Sequence, residues 1–451
     1  MRMSLHIALV VSWLFVWELA ISQESQGVQL LAQWKQGGLP ASTRGSVYND
    51  VWGFVEGGQE YAVIGSTAGS HIIHVGYNHA VTEVAFIPGT AQGAYAVHRD
   101  FAYYKGYLYI VGDEPPALLQ VVDVRGLPGH VDLVLETDAF FTTAHNLRLD
   151  EAYGWLYAAG PSGHALTLLD LEPNPAEPQL IRHFDGVEYV HDLYVRDGVA
   201  YLNCAFQGLW VYAFNDPENP VLLGTLEDYP QSGYNHSGWL NEEGTVYVFA
   251  DETPGKALKV CSAQNLAEID VLSLLSSQGA SHTTPHNVMI KEHLAYVSYY
   301  FDGFQVFDIR EPQQPKRVAW FRTYQGDLID YQGAWGVYVF LPSGRILVSD
   351  RQSGLFVFSL ISDDDVQNND VQIIPNHGAG DAVVHIRRKN FLRVDMRVCD
   401  ASGRLIQEGT YRNTSDSFWM DVDLNNEASG YYFIGVRIDD GDEYQLKYLK
   451  Y

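Results

Sequence analysis

Residues 189–203 read YVHDLYVRDGVAYLN: a histidine, an alternating apolar run, an Asp-Gly turn and a second apolar run. Alternation with period two sends successive side chains to opposite faces of a strand, and Asp-Gly between two such runs is a strong hairpin signal. The phrase therefore reads as a β-hairpin headed by His191. Nearly the same phrase recurs as HRDFAYYKGYLYIVG from His98, HNLRLDEAYGWLYAAG from His145, HSGWLNEEGTVYVFA from His236 and HNVMIKEHLAYVSYY from His286, at steps of 47, 46, 45 and 50 residues. Two copies without the histidine flank these five, NDVWGFVEGGQEYAVIG from Asn49 and AWGVYVFLPSGRILVSD from Ala334, which makes seven units.

Each unit continues in the same way. A third alternating strand follows the hairpin, as in LWVYAF after Gly208, FQVFDI after Gly303 and LFVFSL after Gly354, and then a proline-bounded corner such as DPENP from Asp216, EPQQP from Glu311 or EPNPAEP from Glu172. Proline fixes φ and has no N–H to give to a ladder, so it belongs between strands. A fourth strand, VLLGTL or KRVAWF, closes the unit. Four strands at a period close to those of WD40 and kelch repeats make each unit a propeller blade. The seventh unit stops after its third strand at Leu360, and VQLLAQWKQG from Val28 has no unit of its own. This predicts that the N-terminal strand completes the seventh blade, so that the ring of a seven-bladed β-propeller closes without a free inner edge.

The strands with the pattern G-L-x-V-aromatic, followed by Asp/Glu-Pro corners, resemble LVIVD repeats. Set behind a leader, they are similar to the exported "choice-of-anchor B" surface proteins. The resemblance spans roughly residues 28–360 and implies export and attachment through interchangeable C-terminal anchors, with no activity to carry over. The leader is MRMSLHIALVVSWLFVWELAIS: a basic start, an apolar stretch from about Ile7 to Trp17, and small residues up to Ser22. This reads as a secretory signal over residues 1–22. Its apolar stretch falls short of the roughly 20 residues that a membrane-crossing helix needs.

Residues 23–360 are thus assigned to the propeller, and the acidic SDDDVQNNDVQ falls within a linker at 361–373. Residues 374–451 carry short alternating strands, among them LRVDMRV, SFWMDVDL and SGYYFIGVRIDD, which read as a small Ig-like β-sandwich. Within it, Ile374-Pro-Asn-His, Asp400-Ala-Ser-Gly-Arg-Leu-Ile, Ser429-Gly-Tyr-Tyr-Phe-Ile and Lys447-Tyr-Leu-Lys resemble the C-terminal sorting domain of type IX secretion, with His377 standing where a second proline is usual. That resemblance implies passage through the periplasm to the cell exterior, with the type IX secretion machinery as a partner.

Composition narrows the function. A formal charge of -27 with only 28 Lys and Arg opposes nucleic acid, whose affinity comes from cations neutralising phosphates, and opposes an anionic membrane surface. Three cysteines, Cys204, Cys261 and Cys399, form no C-x-x-C pair and no disulfide framework. No G-x-S-x-G, phosphate loop or H-E-x-x-H is present. A monomer is expected.

If the first strand of each blade lines the central channel, His98, His145, His191, His236 and His286 form a ring near one mouth. Converging imidazoles suit a divalent metal, with the neighbouring carboxylates Asp50, Asp100 and Asp192 as ligands, orienting groups or general base. Equally, a repeat copies its structural hydrogen bonds along with its fold, and the histidines then only tie blade to blade. The acidic turns Gly112-Asp-Glu-Pro and Ala250-Asp-Glu-Thr-Pro lack calcium-loop spacing and read as solvated. His71 and His74 fall on opposite faces of one strand. Tyr234, Trp239, Tyr331 and Trp335 read as core residues or as surfaces for sugars. The sequence alone favours a non-catalytic surface or secreted module binding a protein, glycan or small ligand. The alternative is a metal-dependent hydrolase or lyase built on the histidine ring.

Overall fold

A computed structural model describes residues 25–76, 80–277, 279, 282–327 and 331–361, and, in the C-terminal part, 371–374, 377–378, 380–386, 391–412, 418–439 and 441–450. The expected signal sequence and most of the expected linker lie outside them. Every regular element among these residues is a strand, and no helix is long and apolar enough to cross a membrane.

The hairpin at 189–203 forms as read. Asp192–Arg196 pairs with Val199–Asn203, and the turn residues Asp197 and Gly198 both have positive φ, 53° and 79°, as a type I′ turn demands. Leu209–Ala213 and Val221–Leu226 complete a four-stranded antiparallel sheet. The unit is repeated by sheets that begin at Tyr48–Glu56, Asp100–Tyr104, Asn146–Asp150, Asn235–Leu240, Val288–Lys291 and Ala334–Tyr338. In all seven sheets the register slips between the third and fourth strands, a bulge that adds twist to the outer edge.

First strands pack against first strands in succession, and Ala334–Tyr338 of the last sheet packs against Tyr48–Glu56 of the first, so the arrangement is closed and propeller-like. Val28–Trp34 supplies the outer strand that the seventh unit lacks, pairing from Val28 opposite Leu360 to Trp34 opposite Leu355. The preceding Ser25–Gln26, unexpected from the sequence, adds a fifth strand to the sixth sheet, pairing with Phe321 and Trp320. Gly27, at φ 67°, turns the chain from one sheet edge to the next, where a Cβ would lie 2.6 Å from the Val318 carbonyl oxygen. Inside the closure, fully buried Arg345 faces Glu60, Nη1 to Oε2 at 3.4 Å, while the Ser343 amide and hydroxyl each donate to Glu60 at 2.6 Å.

In the C-terminal part, a three-stranded and a five-stranded sheet share one apolar cluster, with Val384, Met396, Val422, Ile434 and Val436 buried in it. The Asp400 carboxylate accepts from the amides of Ser402 and Arg404 at 2.9 and 3.0 Å and from Arg404 Nε at 3.0 Å, which accounts physically for the D-x-x-G-R spacing. Lys450 is buried and donates to the carbonyls of Leu424, Asn425 and Glu427 at 2.6, 3.0 and 2.7 Å. An isolated ammonium would be expelled from such a site, and three carbonyls hold it there.

Candidate metal centre

The five histidines sit at or just before the first strands of sheets two to six, at one end of the innermost strands. Their rings follow one another around the axis. Centroids are 5.6 Å apart for His98 and His145, 4.1 Å for His145 and His191, and 4.2 Å for both His191 with His236 and His236 with His286. The seventh unit contributes Trp335, 4.4 Å from His286 and 5.3 Å from His98, so five imidazoles and an indole close the circle.

Two overlapping groups within this circle present ligand atoms that all lie within 4.8 Å of one another: His145, His191 and His236; and His236, Glu252 and His286. Hydrogen bonds set the tautomers. His191 Nδ1 donates to the His236 carbonyl at 3.2 Å and His286 Nδ1 to the Trp335 carbonyl at 2.6 Å, which leaves a lone pair on each Nε2. The Nδ1 of His236 makes no hydrogen bond among the described residues, and the carbonyl of His286 accepts from the Ser237 hydroxyl at 2.7 Å. Burial holds His191, His236 and His286 well below the ordinary imidazole range, with neighbouring imidazoles acting in the same direction on each. They are therefore neutral at pH 7 and able to ligate. Burial also pulls His145 down, but Asp113, with Asp192 and Asp100 behind it, outweighs that pull and raises it.

The carboxylates that meet the ring are not those the sequence singled out. His98 Nδ1 donates to Glu114 Oε1 at 2.5 Å, His145 Nδ1 lies 3.2 Å from Asp113 Oδ2, and His236 Nε2 lies 3.7 Å from Glu252 Oε2. These acids come from Gly112-Asp-Glu-Pro and Ala250-Asp-Glu-Thr-Pro, the turns expected to be solvated. The second strand of each hairpin runs antiparallel to the first, so its end returns to the level of the histidine, as Asp251 opposite Asn235 shows. Burial raises Glu252, against the Tyr300 hydroxyl that donates to its Oε1 at 2.5 Å.

Asp50, Asp100 and Asp192 lie one layer below. With His98, His145, His191 and His236 they border a cavity of about 20 Å³, enough for one water-sized particle. Their oxygens are committed away from the ring. Asp192 accepts from Arg148 Nη2 at 3.3 Å and Asp100 lies 3.8 Å from Arg148 Nη1, while the amides of Leu193, Leu147 and Val51 donate to Asp192, Asp100 and Asp50 at 2.6, 2.5 and 2.7 Å. Burial raises all three acids, Asp50 most clearly, because Asp100 repels its charge as well, and Asp192 to about 6 against the pull of Arg148. None belongs to either convergent group: they border the same cavity as the ring and act on His145 through their charge, while Arg148 and backbone amides take their hydrogen bonds.

The remaining candidates are accounted for locally. His71 bonds Ser66 at 2.8 Å and Glu83 at 3.0 Å, whereas His74 bonds Gln59 at 3.0 Å, so the two share no ligand point. Tyr234 stands edge-on to His191 at 5.0 Å, and Tyr331 edge-on to Tyr300 at 5.3 Å, which places both at the histidine end. Cys204 and Cys261 are buried thiols, pushed up by burial, and neither lies near the ring's ligand groups.

No family model matches the chain, and no curated protein matches it either. Among solved structures, it is similar to a protein of Lactobacillus plantarum at 13% identity and a TM-score of 0.50, covering 79% of this chain and 96% of that one. It is also similar to the periplasmic gluconolactonase PpgL of Pseudomonas aeruginosa at 12% identity and a TM-score of 0.50, covering 84% of this chain and all of that one. At such identities the likeness speaks for the propeller-like all-β fold alone.

Proposed function

We propose that this chain is an exported seven-bladed β-propeller whose histidine-lined mouth holds a divalent metal ion, and that it acts as a metal-dependent hydrolase or lyase. The convergence of His145, His191 and His236, with His286 and Glu252 beside them, carries this reading and puts it ahead of the binding module. A ring that only tied blades together would need its Nδ1 bonds and nothing else, yet here the ligand atoms of His145, His191 and His236 also converge, beside a cavity with room for one ion.

In this reading His145, His191 and His236 would hold the ion, which would supply Lewis-acid activation of water. Glu252 would stand beside it as the group that accepts a proton from water and returns one to the leaving group. Burial, which raises its pKa, and the hydroxyl of Tyr300, which holds it in place, suit a group that would both accept and donate a proton. Asp113 and Glu114 steady His145 and His98 from the solvent side. Tyr189 and Tyr234 stand beside His191 as walls for the substrate. The leader, the LVIVD-like strands and the sorting-domain elements around Asp400 and Lys450 support delivery to the cell surface or medium by type IX secretion.

The test is elemental analysis of the full-length protein, purified without chelator or histidine tag, beside His236→Ala. Stoichiometric divalent metal that vanishes in the variant, together with loss of hydrolysis across a panel of activated esters, is expected. Metal-free wild-type protein that folds normally and takes up no added Zn²⁺ or Mn²⁺ overturns the reading and returns the ring to blade architecture.

A further inference from the structure

The innermost strands that begin at the histidines end at a second and larger cavity. It measures about 600 Å³, within the range of small-ligand sites, and its wall is aromatic: Trp52, Tyr103, Tyr194, Trp239, Tyr338 and Phe340. Six of the seven innermost strands contribute to it. The rings brace one another at angles that leave faces turned inward. Trp52 packs on Tyr338 at 4.9 Å and 59°, Tyr194 on Trp239 at 4.9 Å and 60°, and Trp239 on Phe340 at 5.4 Å and 25°. Trp52, Tyr103, Trp239 and Phe340 remain half-buried. The floor is Arg148, nine-tenths buried, whose Nε has no partner within the protein.

Charge selects among ligands. The cation position over Trp52 and Trp239 is already taken, because the Arg148 guanidinium lies 5.5 and 6.0 Å from those ring centroids, so a cationic ligand would meet like charge. An anion fares no better: Arg148 is engaged by Asp100 and Asp192, the exposed lining residues Glu151 and Asp197 repel it, and the chain carries a net charge of -27. Arg196 offers little relief, since its Nη1 donates to the carbonyls of Asn241 and Glu242 at 3.1 and 3.2 Å. What remains is a neutral ring with apolar faces for the aromatic wall and hydroxyl groups for the carboxylates at the rim. We infer that this cavity binds a neutral sugar, as one or a few units of a glycan, at the end of the channel opposite the histidines.

The probes are maltotetraose, cellotetraose and xylotetraose, with glucuronic acid, choline and indole as the charged and apolar comparisons. Each is titrated into full-length protein by calorimetry and by tryptophan emission. Saturable binding of a neutral oligosaccharide with a change in emission is expected, and glucuronic acid and choline are expected to bind at least about tenfold more weakly. Trp52→Ala/Trp239→Ala should abolish the signal. Because removing two indoles can loosen the inner strands, Glu151→Gln/Asp197→Asn, both exposed, should weaken binding about tenfold with an unchanged melting temperature. His236→Ala should leave saccharide binding intact, so failure at the metal end and failure here are read separately. No saturable binding by any neutral saccharide, or tighter binding of choline or indole, overturns the assignment.

Discussion

Two buried polar layers stand one below the other on the same innermost strands, and they are opposites. In the upper layer, His145, His191, His236 and His286 with Glu252, the ligand atoms converge, and His191 and His286 fix their Nδ1 protons on carbonyls and keep a lone pair on Nε2. The lower layer, Asp50, Asp100 and Asp192 around Arg148, spends its charges on itself and on backbone amides. Both are shielded from solvent and both perturb ionisation, so burial and shifted pKa values alone do not mark a reactive site. The direction of the unspent hydrogen-bonding capacity does. On that criterion the lower layer reads as architecture, a plug between the histidine end and the aromatic end, and the upper layer is the one to which we assign the proposed chemistry.

The largest effect should come from breaking the plug. Arg148→Met leaves three buried carboxyls without their cation and should cost about 3–5 kcal/mol of stability, measured by urea unfolding of the full-length protein at pH 7. Replacing Asp100 and Asp192 by Asn in the same chain should restore most of that loss. An Arg148→Met protein as stable as wild type would mean that the lower layer does not depend on its guanidinium. In the upper layer the contrast lies within the ring. His236 belongs to both convergent groups and His98 to neither, so His236→Ala should lose more than about 100-fold in affinity for added Zn²⁺, whereas His98→Ala, which breaks only an outer contact, should lose about tenfold or less. Equal losses would erase the distinction between the convergent histidines and His98.

Much of this was legible before any coordinates. Strand alternation, the Asp197-Gly198 turn and the incomplete seventh unit are local signals, and the pairing of Val28–Trp34 with Gly354–Leu360 follows from counting strands. The histidine ring was legible as a position in a repeat. Its company was not. Asp50, Asp100 and Asp192 are neighbours of the ring in sequence, but adjacent residues on a strand point to opposite sides or to the next level down, where Arg148 captures them. Asp113, Glu114 and Glu252 are remote in sequence and arrive because a hairpin returns to its starting level. The usable signal was there: an acidic residue immediately after the second strand of a repeat must land beside the residue that heads the first. Trp335 was singled out as a core residue or a surface for sugars but not as a member of the circle, since its unit carries no histidine to align and only closure puts an indole in the vacant slot. The aromatic cavity required side chains from six strands at once, which no single window of sequence displays.

Smaller effects sharpen the same comparison. Tyr300→Phe removes the hydroxyl that donates to Glu252 at 2.5 Å and should lower metal affinity about tenfold without displacing a ligand, a loss read by competition with a chromogenic chelator. The smallest effect is in proton linkage and concerns the metal-free protein. His191, His236 and His286 have folded-state pKa values depressed by burial, so below pH 6.5 the unfolded chain binds protons that the folded chain refuses. Stability is therefore fully present above the unfolded pKa and falls as pH drops from 7.5 to 6, by up to about 1 kcal/mol per imidazole. Asp192, raised to about 6, works the other way, because the folded state binds its proton first, and this offset grows below pH 6. Urea unfolding of chelated protein at pH 7.5, 6.8 and 6.0 should show the decline, and His286→Gln should reduce its slope by roughly one third or more, since one of three refused protons is gone while the opposing offsets of Asp192 and His145 remain. A slope unchanged by His286→Gln would mean that this imidazole takes up its proton alike in the folded and the unfolded chain, so that burial does not hold it neutral, and the contrast between the two layers would lose that support.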